Sequence, residues 1–371
     1  MSENVRTTTC PYGTLDIWLI IAVGILSAIG VVMVLSASGV VAERSYGDGL
    51  YFFYKQLLFL LLGIGLAAGV MRIPRTVFYR LVYLWVFLAL AALILTLTSL
   101  GMEANGASRW IRIGPLALQP LELAKVALVF YLASFFSRKQ DMVKTFSVGF
   151  LPPVAVTGVM CILLVLQPDF GGAVFMAMLL FLMSLVGGTR LIYLASSVVL
   201  AAGLGTYLVL HSPYRMQRLF AYLDPFKDIY GSGYQLVQSL YALGAGGFWG
   251  LGVGNGKQKL FYLPDAHNDF ILAVIGEELG FIGLSLVFAC LGVIIWRSFS
   301  IAITQQDLMD RFTGLGMSCI LCVGALLNAA VVLGAIPPKG VPMPFISYGG
   351  SSLLVSFFCV GMLLNMARRG R

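Results

Sequence analysis

Apolar runs of membrane-crossing length recur along almost the entire chain, separated by short polar connections. A helix needs about 20 predominantly apolar residues to cross the hydrocarbon core. On that measure we place ten spans, at 17–41, 56–71, 77–100, 120–136, 148–166, 170–186, 191–210, 270–296, 312–336 and 346–367. No run alternates with the period of two that a membrane barrel strand shows, so the spans are expected to be helices. One long stretch breaks the pattern. Residues 211–269 carry both histidines, several aspartates and lysines and a glycine-dense turn from Gly244 to Gly256. It ends in Leu263-Pro-Asp-Ala-His-Asn-Asp269, directly before an apolar run that starts at Phe270.

Composition agrees with that pattern. The chain is 59% apolar and 11% charged, where a soluble domain carries about 25% charged residues. The fold class expected is therefore an all-α polytopic membrane protein, a single domain over 1–371 with 211–269 as a large loop within it. The first apolar run, from Ile17, is too long for the core of a cleavable signal.

Charge fixes an expected orientation. Arg72, Arg75 and Arg80, then Arg138, Lys139 and Lys144, then Arg297 and Arg311, then Arg368, Arg369 and Arg371 fall in one alternate set of connections and the C-terminus. Short connections of the other set hold few cations. Lys and Arg favour the cytoplasmic side, so both termini are expected inside and 211–269 outside. The net charge of +8 is then a topology signal, and no nucleic-acid partner is expected. Cys319 and Cys322 match C-x-x-C, but they lie in an apolar run without histidines and read as packing residues.

Several groups could carry chemistry. Asp269 sits where water meets the membrane and is the first candidate for a catalytic group, although an aspartate before a helix also reads as its N-cap. Asp265 competes with it, and His267 between them could orient or titrate. The glycine-rich turn does not match a phosphate-binding loop, because Leu251 and Gln258 stand at required positions. Lys257 and Lys259 beside it could still meet an anion. Glu122 and Lys125 are i, i+3 in the fourth span and read as an ion pair. Glu277 and Glu278 lie about two turns inside the eighth, where ionisable groups are costly and usually paired or functional. Arg109 and Arg112 fall on the same side as Asp269. The four prolines after Ile336 set rigid, polar backbone near membrane depth, tolerated where it lines a cavity.

Taken in order, Gly106-Ala-Ser-Arg-Trp-Ile111, Gln119-Pro-Leu-Glu-Leu-Ala-Lys125, Gln167-Pro-Asp-Phe-Gly171, Tyr234-Gln-Leu-Val-Gln-Ser239, Leu263–Phe270, Gly276-Glu-Glu-Leu-Gly280 and Pro344–Ser352 resemble the SEDS family of shape, elongation, division and sporulation proteins. Pro338-Lys339-Gly340 and Tyr214-Arg-Met-Gln-Arg218 are closer to its FtsW branch than to RodA. Leu121, Asn268 and Gly172 depart from the family pattern without removing a charge.

The resemblance implies a peptidoglycan glycosyltransferase that polymerises lipid II into β-1,4-linked strands and releases undecaprenyl diphosphate. It implies Asp269 as general base, with Arg109, Arg215, Lys257, Lys339 and His267 as substrate-binding candidates. The implied partners are a class B penicillin-binding protein and other division proteins of the cytoplasmic membrane. A divalent cation, Mg or Mn, is the only cofactor it suggests, and no ligand spacing in the sequence marks a site for one. A lipid II flippase using Glu122, Lys125, Glu277 and Glu278, and a scaffold without activity, are the competing expectations.

Overall fold

A computed structural model describes residues 15–104, 107–114, 116–229, 231, 233–259, 263–264 and 266–369. Asp265 lies outside the described residues.

Helices dominate. They are α1 (Ile17–Tyr46), α2 (Tyr51–Arg72), α3 (Arg75–Arg80), α4 (Val82–Leu95), α5 (Pro120–Arg138), α6 (Leu151–Leu166), α7 (Phe170–Val186), α8 (Leu191–Leu210), α9 (Pro213–Leu223), α10 (Tyr234–Gly246), α11 (Ile271–Ile303), α12 (Leu308–Val332) and α13 (Gly350–Arg369). Among the described residues eight are long and apolar enough to cross a membrane, and α4 and α7 are shorter apolar helices. The third expected span is interrupted: Leu81 leaves helical geometry between α3 and α4, and α4 stops at Leu95.

The expectation of an all-α chain needs correction. Between α4 and α5 a small antiparallel sheet forms from β1 (Gly101–Ala104), β2 (Ala107–Ile113) and β3 (Leu116–Leu118), in the order β1-β2-β3. Ala104 stands opposite Ala107, and in the sequence between them lies Asn105-Gly106, a dipeptide that favours a tight hairpin turn. The 211–269 segment also departs from a plain loop, because it contains α9 and α10.

Helices α5, α12 and α13 form the centre, each buried over most of its length, while α8 exposes nearly all of its apolar surface. That surface needs a hydrocarbon surrounding. Phe130 and Phe136 of α5 and Phe175 of α7 are fully buried, and Phe130, Phe358 and Phe78 stack edge and face. At one end of the bundle Arg297 pairs with Asp16 at 2.5 Å and Arg75 with Asp310 at 2.7 Å. The sheet, α9, α10 and the segment 333–349 gather at the other end, where the candidate site lies.

Helix α11 is broken at Gly280, whose φ of 65° and ψ of −161° leave helical space. A break leaves backbone groups without helical partners, which are costly to leave unpaired. The glycine-rich turn pairs four of them. Leu251 N–H and Gly252 N–H donate to the carbonyls of Glu277 and Glu278, both at 3.0 Å. Phe281 N–H and Ile282 N–H donate to Gly247 and Phe248 carbonyls, at 3.0 and 3.3 Å. A Cβ on Gly280 would collide with the backbone nitrogen of Gly250, so glycine is required by contact as well as by dihedral angle.

Candidate active site

Pro168, Asp169, Phe170 and Gly171 lead into α7, Arg215 and Arg218 lie on α9, and Pro337-Pro338-Lys339-Gly340 follows α12. Together with Arg109 of β2 they line a cleft of about 570 Å³. Four cations and one carboxylate face this space, so an anion is the ligand its charge suits.

Carbonyls, an aromatic ring and one carboxylate hold Arg109, Arg215 and Lys339. Arg109 donates to the Pro168 carbonyl at 2.7 Å, and its Nε stands 3.9 Å from Asp169 Oδ1. The Asp169 carboxylate is in turn held by the Gly172 N–H at 3.0 Å, as the N-cap of α7. Arg215 donates to the Leu208 carbonyl at 3.1 Å. The Phe170 ring lies between two charges, with Arg215 at 5.6 Å and Lys339 Nζ at 5.8 Å from its centre. Burial pushes the Lys339 ammonium below the usual lysine range, because loss of water disfavours the charged form.

Asp269 borders this cleft through Gly340. The point where a Cβ on Gly340 would stand is 3.3 Å from Asp269 Oδ2 and 3.9 Å from Arg109 Nη1. The backbone of Asp269 is tied down from α12: Asn328 Nδ2 donates to the carbonyls of Asp269 and Val341, both at 2.8 Å. One amide group therefore holds the aspartate and the Lys339 segment in register. The cap reading of Asp269 is not what forms. Helix α11 starts at Ile271 with Phe270 at the cap position and no side-chain cap bond.

Arg109, Arg215 and Lys339 thus converge, with Asp269 beside them. His267 and Lys257 do not join them. His267 is buried in an aromatic cluster, its ring 4.7 Å from Phe52 and 5.7 Å from Tyr348. Its carbonyl accepts from Tyr348 N–H at 2.9 Å. Lys257 is exposed, and its backbone N–H donates to Glu277 Oε1 at 2.7 Å. The turn around it wraps acid groups rather than offering a cradle for a phosphate. Gly254 N–H donates to Glu278 Oε2 at 2.9 Å, and Lys259 Nζ donates to Glu278 Oε1 at 2.7 Å. The Ser36 hydroxyl reaches the same carboxylate at 2.8 Å. In the fourth span Lys125 Nζ donates to Glu122 Oε1 at 2.7 Å, with both side chains buried, and lies 4.2 Å from the centre of the Phe175 ring.

Four residues of the site were missed from sequence: Asp169, Phe170, Arg218 and Asn328. The first three sit within quoted motifs, which was signal enough to name them. Asn328 had a plainer mark, an amide deep in an apolar helix.

The sequence model of the FtsW, RodA and SpoVE family, described as cell cycle protein, matches residues 17–371. The chain belongs to this family. A Trichlorobacter lovleyi member named probable peptidoglycan glycosyltransferase FtsW is 46% identical over 353 residues, covering 95% of this chain and 93% of the relative. Stage V sporulation protein E of Bacillus subtilis is 38% identical over 360 residues, covering 96% and 98%. Among solved structures, a chain from work on the structural coordination of polymerization and crosslinking by a peptidoglycan synthase complex matches with a TM-score of 0.78. It is 29% identical, with 96% of this chain and 99% of that chain covered. The rod shape determining protein RodA of Thermus thermophilus gives 0.69 at 27% identity, covering 96% and 99%.

Proposed function

We propose that this chain is a peptidoglycan glycosyltransferase of the cytoplasmic membrane, polymerising lipid II during septal wall synthesis. The observation that carries the reading is the carboxylate of Asp269 at the edge of the four-cation cleft. The acceptor sugar's 4-hydroxyl oxygen attacks the anomeric carbon of the donor, and its proton passes to Asp269. The bond from that carbon to the diphosphate breaks, and undecaprenyl diphosphate leaves with the electron pair. Inversion at carbon gives the β-1,4 link. Arg109, Arg215 and Lys339 steady the charge that grows on the leaving diphosphate, and they do so in place before reaction begins. Among the described residues no group of three or more His, Cys, Asp or Glu side chains is placed to hold a metal ion.

Transport of the same lipid is the competing reading, and the buried ionisable groups speak against it. Glu122 and Lys125 are paired, and Glu277 and Glu278 are engaged by backbone amides, Ser36 and Lys259. A path through them would have to break these bonds in lipid.

The proposed topology has ten spans with both termini inside, placing 211–269 and Asp269 outside, where a class B penicillin-binding protein would dock. In a background without native cysteines, Lys227→Cys should react with an impermeant maleimide in intact cells and Lys139→Cys should not. The reverse labelling would overturn this orientation.

Incubation of purified protein with labelled lipid II tests the chemistry. Asp269→Asn keeps the size of the side chain and removes the base, so polymerisation should fall by about 10²–10⁴-fold while the protein still folds. Asp265→Asn should keep most activity. Near-normal synthesis by Asp269→Asn, or its loss in Asp265→Asn alone, would sink the assignment.

A further inference from the structure

A second cavity, of about 310 Å³, opens beside the cationic cleft, and the two share Arg218 and Pro338. Helix α9 is the wall between them. Its residues Arg215 and Leu219 line the cleft, whereas Gln217, Ala221 and Tyr222 line the second cavity. The N-terminal turn of α10 adds Tyr234 and Gln235 opposite, and Pro264 closes one end. The wall is anchored: the Tyr222 phenol donates to the Ala335 carbonyl at 2.7 Å, just before the segment that carries Lys339.

The chemistry changes across that wall. The cleft is cationic; among the described residues lining the cavity none is a carboxylate, and the one charged group is Arg218 at the shared border. Its polar groups are two carboxamides and two phenols, which both donate and accept hydrogen bonds. Aromatic rings and prolines provide the apolar remainder. Such a lining suits an uncharged ligand rich in hydroxyl and amide groups, and the volume is at the lower end of ligand pockets, about 300–1,000 Å³. Adjacent to a diphosphate cleft, one molecule satisfies both halves: a diphosphate joined to a neutral sugar.

We propose that the cavity between α9 and α10 is a subsite for the N-acetylated pyranose carried on the diphosphate, with Gln217 and Gln235 as its specificity-determining residues. This rests on the reading of the cleft as the diphosphate site. It adds a second point of recognition, so that a lipid diphosphate bearing sugar binds more tightly than the sugarless product and the product is released.

Equilibrium binding separates the two halves. In the full-length Asp269→Asn protein, which leaves the ligand intact, affinity is measured for lipid II and for undecaprenyl diphosphate. Gln217→Ala with Gln235→Ala should weaken lipid II binding about 30-fold and change undecaprenyl diphosphate binding by less than about twofold, the two amide-to-sugar hydrogen bonds being worth about 1 kcal/mol each. Lys339→Ala should weaken both ligands together. Equal losses for the two ligands in the glutamine variant, or no loss, would overturn the subsite. Should the double variant fold poorly, Gln217→Ala alone carries the test, since Gln217 is exposed and its selective loss of lipid II affinity is still expected. The outcome is independent of turnover. A chain that keeps this preference but never polymerises would retain the subsite and lose the polymerase reading.

Discussion

Two regions of this protein gather charge at the same end of the bundle, and they treat it in opposite ways. Around the break in α11, Glu277 and Glu278 receive the N–H groups of Gly254, Lys257 and Gln258, the Ser36 hydroxyl and the Lys259 ammonium. Backbone and side chain complete each other, and the glutamates are fully buried. In the cleft, Arg215 and Lys339 instead meet an aromatic face and, for Arg215, a carbonyl. Four cations face one lining carboxylate. A charge that has its counter-charge inside the fold serves the fold, whereas an excess of one sign around open space is what an incoming counter-charge completes. On this contrast Lys259 and the glycine-dense turn belong to the closed region, and Lys339, beside open space, is the residue proposed to meet the ligand.

Breaking the closed region should have the larger effect. Lys259→Met removes the cation paired with Glu278 and strands a buried carboxylate, which costs about 3–5 kcal/mol. Folded yield in membranes should drop sharply, and Lys259→Met combined with Glu278→Gln should recover part of it, because the stranded charge is gone. Loss of lipid II affinity in Lys259→Met at normal yield would place Lys259 in the ligand region and erase the contrast.

Next comes the junction between Asp269 and the cleft. Gly340→Ala sets a methyl 3.3 Å from Asp269 Oδ2, tighter than ordinary van der Waals contact, so the carboxylate or the Lys339 segment must move. A displacement of this kind costs about tenfold or more in turnover. Yield should stay normal and kcat should fall. Unchanged kcat would mean that Asp269 does not work against this wall.

Much of the molecule was legible in the sequence, because burial in lipid demands long apolar runs and gives them clear edges. Each expected span corresponds to helical structure, although the 77–100 span is divided at Leu81 and cut short at Leu95. The small sheet was not foreseen, since a three-residue strand such as Leu116–Leu118 carries no periodicity to read. Only Asn105-Gly106 pointed to it. Candidates at the site divided on similar grounds. Cations next to prolines and aromatics reached the cleft, while His267 and Lys257, chosen for closeness in sequence to Asp269 or to glycines, did not. Pairing across the break at Gly280 joins segments some 30 residues apart through backbone groups, and backbone pairing leaves almost no trace in side-chain identity. Asn328 was legible in principle, as a lone amide among apolar neighbours.

The smallest expected effect is also the most specific to the open region. Lys339 has its charge disfavoured by burial, so its folded-state pKa lies below the ordinary lysine value of 10.5. A lowered lysine loses its proton earlier as pH rises, and diphosphate binding that depends on that charge should weaken on the alkaline side before a free lysine would titrate. We therefore expect kcat/KM for lipid II to fall on the alkaline limb. Lys339→Ala should raise KM about tenfold at neutral pH, which is roughly 1.4 kcal/mol, and should flatten the limb. Lys339→Arg should restore much of the affinity and flatten it as well, because guanidinium does not titrate there. An alkaline limb that survives in both variants would have to come from another group, and the cleft would then be indifferent to the charge at Lys339.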